Sequence, residues 1–202
     1  MKHRLFPLLA SLALLLTSGM AAAERADRNK PMNVEADALR YDDLKQTSVF
    51  TGKVVLTKGT IVIRGARVEV RQDPEGYQYG VVTADPGKLA FYRQKREGVD
   101  EFIEGEGETI EYDSKADRVK FIKRAELRRY RGAELNDEIV GSLITYDNGT
   151  DVFSVDGGPT SPAAGGRVRA VMAPRGAASG PAAPAQPPAQ LRPSVTLDGG
   201  KK

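Results

Sequence analysis

TSVFTGKVVLTKGTIVIRGARVEV, residues 47–70, reads as two strands joined by a tight turn, and it sets the fold class. Phe50, Val54 and Leu56 recur on even positions, so they share one face of an extended chain. Lys58-Gly59 supplies the turn, and Thr60 to Ile63 begins the return strand of a hairpin. Outward from it, β-rich runs follow at Tyr77 to Ala84, Lys88 to Tyr92, Val119 to Ile122 and Ile139 to Tyr146, with no helical stripe of useful length. Short strands punctuated this often by Gly and Asp predict an all-β sandwich, jelly roll or barrel.

A loose repeat runs through the same region. A small residue is followed by an aliphatic and then by Tyr or Val: Ala36, Leu39 and Tyr41; Gly65, Val68 and Val70; Gly107, Ile110 and Tyr112; Gly141, Ile144 and Tyr146. At each copy the apolar positions change parity. Val34 and Ala36 are even but Leu39 and Tyr41 odd, and Ile61 and Ile63 are odd but Val68 and Val70 even. In an unbroken strand the second set would face the opposite side. A bulge or sharp bend at the small residue is the simplest repair, and it would let one strand cross two sheets. The alternative is two strands joined at the small residue.

The ends have a different character. Lys2, His3 and Arg4 precede an apolar run from Leu5 to Leu16, and Ala21-Ala22-Ala23 offers a cleavage site. This is the layout of a removable export signal, and the run is shorter than a bilayer span requires. Residues 1–23 are therefore expected to be a signal peptide removed on export to the periplasm. Residues 158–202 hold eight of the twelve prolines, among Ala, Gly and Gln, and no aromatic residue. They are expected to be a disordered tail behind one folded domain at 24–157.

Composition excludes several chemistries from the processed chain. There is no cysteine or tryptophan, and the single histidine, His3, lies within the expected signal. Catalysis through imidazole or thiol is excluded, as are metal centres built on nitrogen or sulfur. No cofactor is expected. Without Lys2 and Arg4 the balance is 28 basic to 27 acidic residues, which does not suit a nucleic-acid binder.

The stretches PMNVEADALRYDD, VFTGKVVLTKGTIVIRGARVEV, LAFYRQ, EGEGETIEYDSKADRVKFIKRAEL and VGSLITYD resemble the LptA/OstA family over residues 31–155. The resemblance implies an open, twisted β-jelly roll whose two sheets enclose an apolar groove. It implies a non-enzymatic periplasmic role: carrying lipopolysaccharide from the inner to the outer membrane, with lipid A acyl chains inside. It also implies head-to-tail self-association through edge strands, and LptC-like inner-membrane and LptD-like outer-membrane partners. By matching positions, the acyl-lining residues fall on Met32, Val34, Phe91 and Tyr112. Alternation alone adds Leu39, Tyr41, Phe50, Val68, Ile110, Phe121, Ile144 and Tyr146, for which ordinary core packing is the plainer explanation. A soluble lipid carrier needs such a lining, since burying an alkyl chain is worth roughly 0.8 kcal/mol per methylene.

Other constellations are less specific. The basic run at 118–131 includes Lys120, Lys123, Arg124 and Arg128, a candidate phosphate rim or simply a solvated strand face. Glu104, Glu106, Glu108, Glu111 and Asp113 form an acidic cluster that could serve glycoside hydrolysis or calcium, without the pattern of either. Asn148-Gly149-Thr150 is formally a sequon and better a hairpin turn. Candidate edge strands lie around Met32–Ala38 and Asp151–Val155. A structural adaptor that pairs its edges with envelope partners and holds no lipid remains the rival reading.

Overall fold

The computed structural model describes residues 27, 30–96 and 98–174; the expected signal at 1–23 and the chain beyond 174 lie outside the described residues. The strands are β1 (Met32–Glu35), β2 (Ala38–Asp42), β3 (Thr47–Lys58), β4 (Ile61–Gln72), β5 (Gln78–Thr83) and β6 (Ala90–Lys95). They continue with β7 (Glu101–Gly107), β8 (Thr109–Asp113), β9 (Arg118–Arg131), β10 (Glu134–Asp147), β11 (Val152–Asp156) and β12 (Arg169–Met172). Every ladder is antiparallel.

Four long strands, β3, β4, β9 and β10, each take part in two layers. Their first and second halves pair with different neighbours. One layer runs β2, β3, β4, β5, β8, β9, β10, β11. The other runs β1, β3, β4, β6, β7, β9, β10, β12. This is a β-jelly roll whose layers share strands along one side.

The shared strands bend where the repeat has its small residues. β4 passes unbroken through Gly65 and β10 through Gly141, so in these two copies the bend is the answer to the parity change. In the other two copies the chain breaks, between β1 and β2 and between β7 and β8. Both solutions face the same neighbour geometry. Two residues of β3, Gly52 and Lys53, stand opposite one of β4, and two residues of β9, Lys123 and Arg124, stand opposite one of β10. All four have positive φ (81°, 45°, 60° and 49°). These bulges keep the inward positions of β3 and β9 on one parity while their neighbours switch.

The pairing registers turn the sequence repeat into rows. Leu39, Phe50, Val68, Val82, Ile110, Phe121, Ile144 and Val155 lie side by side across the first layer. Tyr41, Ser48, Val70, Gly80, Tyr112, Val119, Tyr146 and Phe153 form the next row. The aliphatic of each copy thus lies in one row and its Tyr or Val in the other. Both rows face the second layer: the rings of Phe121 (first layer) and Tyr92 (second layer) meet edge to face at 5.8 Å. One continuous core includes Val54, Ile63, Val68, Tyr92, Ile103, Ile110, Phe121, Leu127 and Ile144.

The domain boundary expected at Gly157 needs correction. The chain turns back through a short 3-10 turn at Ala164–Gly166, and β12 then pairs its Arg169–Met172 with Val140–Asp137 of β10. Composition hid this strand, because Arg-Ala-Val-Met sits among Pro and Gly and only its main chain makes the ladder. The strand at Glu101–Gly107 carries little apolar alternation of its own, since its inward positions include Ile103 and the glycines 105 and 107. Among the described residues no helix is long and apolar enough to cross a membrane.

Candidate functional site

The hairpin turns of both layers lie on the side away from the bends, and there the layers part. Between them opens a cleft of about 730 Å³ whose apolar wall is Ile61, Ile103, Tyr112 and Tyr146. Its lips are polar: Gln94, Lys95, Arg96 and Asp100 on one side, Asp117, Asn148 and Asp151 on the other. Deeper, a cavity of only about 30 Å³ lies among Met32, Leu56, Ile63, Val68, Val70, Val82 and Tyr112. Ile61 and Tyr112 border both spaces, so cleft and cavity belong to one seam between the sheets.

Midway the seam is shut. Phe121 is 0% exposed and occupies the hollow over Gly105. A Cβ at Gly105 would stand 2.8 Å from Phe121 Cδ1 and closer still to Cε1 and Cζ. Only glycine lets the ring cross from one sheet to the other at this point.

Polar ties join the layers near the lips. Lys58 Nζ on β3 donates to Gln78 Oε1 on β5 at 3.0 Å. Arg96, just after β6, reaches Asp151 in the turn before β11, with Nη2 to Oδ2 at 3.1 Å and Nε to Oδ1 at 3.3 Å. Tyr146 Oη donates to the same carboxylate at 2.9 Å. Glu101 pairs with Arg96 behind it and accepts from Arg131 Nη2 at 2.8 Å. Burial pushes the Glu101 carboxyl up, but hydrogen bonds from Arg131 and Arg96 more than offset this and hold it below the usual carboxylate range. Asp151 is likewise raised by burial and lowered further by Arg96 and Tyr146, with a net depression. The Tyr146 phenol is pushed well up by burial and by its Asp151 partner.

The expected lining residues divide into three groups. Met32, Val68, Tyr112 and Tyr146 border the seam. Ile110, Phe121 and Ile144 are fully buried core, and Val34 and Phe50 pack against it half-buried. Leu39 and Tyr41 belong to the inward rows yet are 59% and 55% exposed, because β2 is an edge strand with no cover opposite. Phe91 needs correction. Its strand neighbour Tyr92 takes the buried inward position, and Phe91 turns outward with the Arg64 guanidinium 5.2 Å from its ring centre. The alternation of Ala90 and Tyr92 around Phe91 carried that signal.

The phosphate rim is corrected as well. On the outer surface the basic run of β9 faces the acidic cluster of β7 and β8. Arg128 pairs with Glu106 and Glu126, each at 2.7 Å. Arg124 meets Glu108 at 3.5 Å and Lys120 meets Glu111 at 3.7 Å, while Arg93 pairs with Glu104. Lys123 sits at the bulge, outside the cleft. The cations and carboxylates neutralise one another strand to strand, which neither stretch could reveal alone. Among the described residues no group of acidic or histidine side chains could hold a metal ion. Asn148-Gly149-Thr150 forms the β10–β11 turn, with Thr150 N donating to Asp147 Oδ1 at 3.0 Å.

A two-layer open jelly roll with an apolar seam and polar lips is the class of domain that the geometry defines. The chain belongs to the LptA family: residues 33–152 match the family described as "LptA/(LptD N-terminal domain) LPS transport protein". It is 34% identical over 141 residues to the lipopolysaccharide export system protein LptH of Pseudomonas aeruginosa, spanning 70% of this chain and 77% of that one. It is 32% identical over 143 residues to the lipopolysaccharide export system protein LptA of Escherichia coli, spanning 67% and 73%. The crystal structure of LptH from Pseudomonas aeruginosa, the LptA homologous periplasmic component of the lipopolysaccharide transport device, superposes with a TM-score of 0.62. That match has 26% identity and covers 74% of this chain and 99% of the other. These relatives are named lipopolysaccharide export system proteins.

Proposed function

We propose that this protein is a periplasmic carrier that shelters the acyl chains of lipopolysaccharide between its sheets and hands them on through edge-to-edge association. The observation that carries this reading is the pair of inward rows running unbroken from one edge of the fold to the other. At the β2 end of those rows Leu39 and Tyr41 leave that inner face uncovered, and on the β12 edge of the second layer Met172 is 68% exposed. A closed globular core would end in polar side chains there; these edges instead continue the apolar surface outward. Edge strands β1, β2, β11 and β12 have main-chain groups free to pair with a further strand. A second copy, an LptC-like inner-membrane protein and an LptD-like outer-membrane protein are the partners this arrangement suits.

A photo-reactive residue in place of Tyr112 or Ile61 is expected to crosslink to lipopolysaccharide, while the same group at Phe91 or Lys53, on the outer surface, is not. Equal labelling at inner and outer positions would overturn the reading. The adaptor alternative predicts oligomers without bound lipid, which mass spectrometry of gently purified protein distinguishes.

A further inference from the structure

Behind the cleft of about 730 Å³, the seam is too small for the cargo proposed for it. A cavity of about 30 Å³ holds one or two water molecules, not an alkyl chain, and Phe121 shuts the middle against Gly105. For an acyl chain to lie between the layers, the layers must part on the side where the turns are. The bends and bulges join them on the other side, so the lips are where separation is possible.

Of the polar ties across the lips among the described residues, the ion pair is Arg96–Asp151. Arg96 is 17% exposed and grips Asp151 through two nitrogens, across a sequence separation of 55 residues and from one layer to the other. It is oriented from behind by Glu101, itself fixed by Arg131. Asp151 is oriented by Tyr146 and held in a positive-φ conformation (56°) at the corner of its turn. A bidentate guanidinium–carboxylate pair with both partners pre-positioned closes in one geometry and releases as a unit. Hydrophobic burial alone would hold the core shut without marking where it opens.

We propose that the Arg96–Asp151 pair is a clasp that keeps the two sheets together at the cleft, and that an amphiphile's alkyl chain gains the seam only when it releases. This rests on the carrier reading in placing alkyl chains between the sheets. Arg96 acts on the position of the sheets and need not touch the cargo.

The chain has no cysteine, so Arg96→Cys and Asp151→Cys in the full chain create the only two thiols, which a reducible bis-maleimide can bridge. Two probes are offered: a neutral fluorescent naphthylamine and rough lipopolysaccharide. The bridged protein is expected to take up both at least about tenfold more slowly than the same sample after reduction, since the open population is removed. The unbridged double variant is expected to take up the dye about two- to fivefold faster than the wild type, the factor lost with an ion pair whose Asp151 end is 53% exposed. Recovery on reduction shows that the bridged chain was folded. Equal dye uptake before and after reduction overturns the clasp, as does equal lipopolysaccharide binding by the bridged form. Gated dye uptake with no lipopolysaccharide bound by any form upholds the clasp and refutes the carrier reading.

Discussion

Gly105→Ala adds a single methyl group where the ring of Phe121 already sits, and its effect can be worked from the contact. In an extended strand alanine is otherwise the better residue, by roughly 0.5–1 kcal/mol of backbone entropy. Any loss of stability must therefore come from the collision, with Phe121 Cδ1 at 2.8 Å and two ring atoms nearer. Overpacking of this kind costs about 1–3 kcal/mol, and at about 3 °C per kcal/mol for a domain of this size Tm should fall by on the order of 3–9 °C. Phe121→Val removes the three colliding atoms and alone costs about 3 kcal/mol as a large-to-small core change. In the double variant the methyl meets no ring, so the combined loss should be smaller than the sum by about 1–2 kcal/mol. Urea unfolding followed by far-ultraviolet circular dichroism measures all four corners of the cycle. Additivity to within about 0.5 kcal/mol would mean the ring does not occupy that hollow, and the closed midpoint would have to be abandoned.

The inward and outward faces of β6 predict that Tyr92→Ala costs about 3–5 kcal/mol while Phe91→Ala costs less than about 1 kcal/mol, readable by the same unfolding experiment. Glu101 and Asp151 both have folded-state pKa values below their unfolded ones, so the stability they lend is complete above the unfolded values, near pH 4–4.5, and is lost as pH falls through the lower folded values. Glu101→Gln should therefore lower stability at neutral pH and flatten the acid limb of a stability–pH profile; an unchanged limb would refute the pairing. Ending the chain after Gly157 removes β12 and leaves Asp137–Val140 without that ladder, so amide exchange there should quicken while β3 and β4 stay protected.

The hairpin at 47–70 was legible because its alternation, turn and length all pointed the same way. The parity changes at Gly65 and Gly141 went further and located bends that the backbone makes. Legibility failed where the outcome depended on what lies across a gap. Leu39 and Tyr41 have the right face, but their exposure follows from β2 having no counterpart above it. Phe91 was displaced by one position, which on a strand means the opposite side. The basic and acidic runs each suggested a site, and only strand order shows that they cancel. Arg96 and Asp151 had no signal at all: both are charged residues beside turns, ordinary until the layers bring them together.

The placement of the bends at Gly52-Lys53, Gly65, Lys123-Arg124 and Gly141 gives the domain the mechanics of a book. Its pages are the two sheets, and four unbroken strands run through the spine. The β3–β4 and β9–β10 ladders run through the spine and the other ladders each lie within a page, so turning the pages apart bends two ladders at their bulges and otherwise breaks side-chain contacts. A rotation of a few degrees at the spine moves the fore-edge farther than any other part of a page, and the unbroken strands carry the same register back when the pages shut.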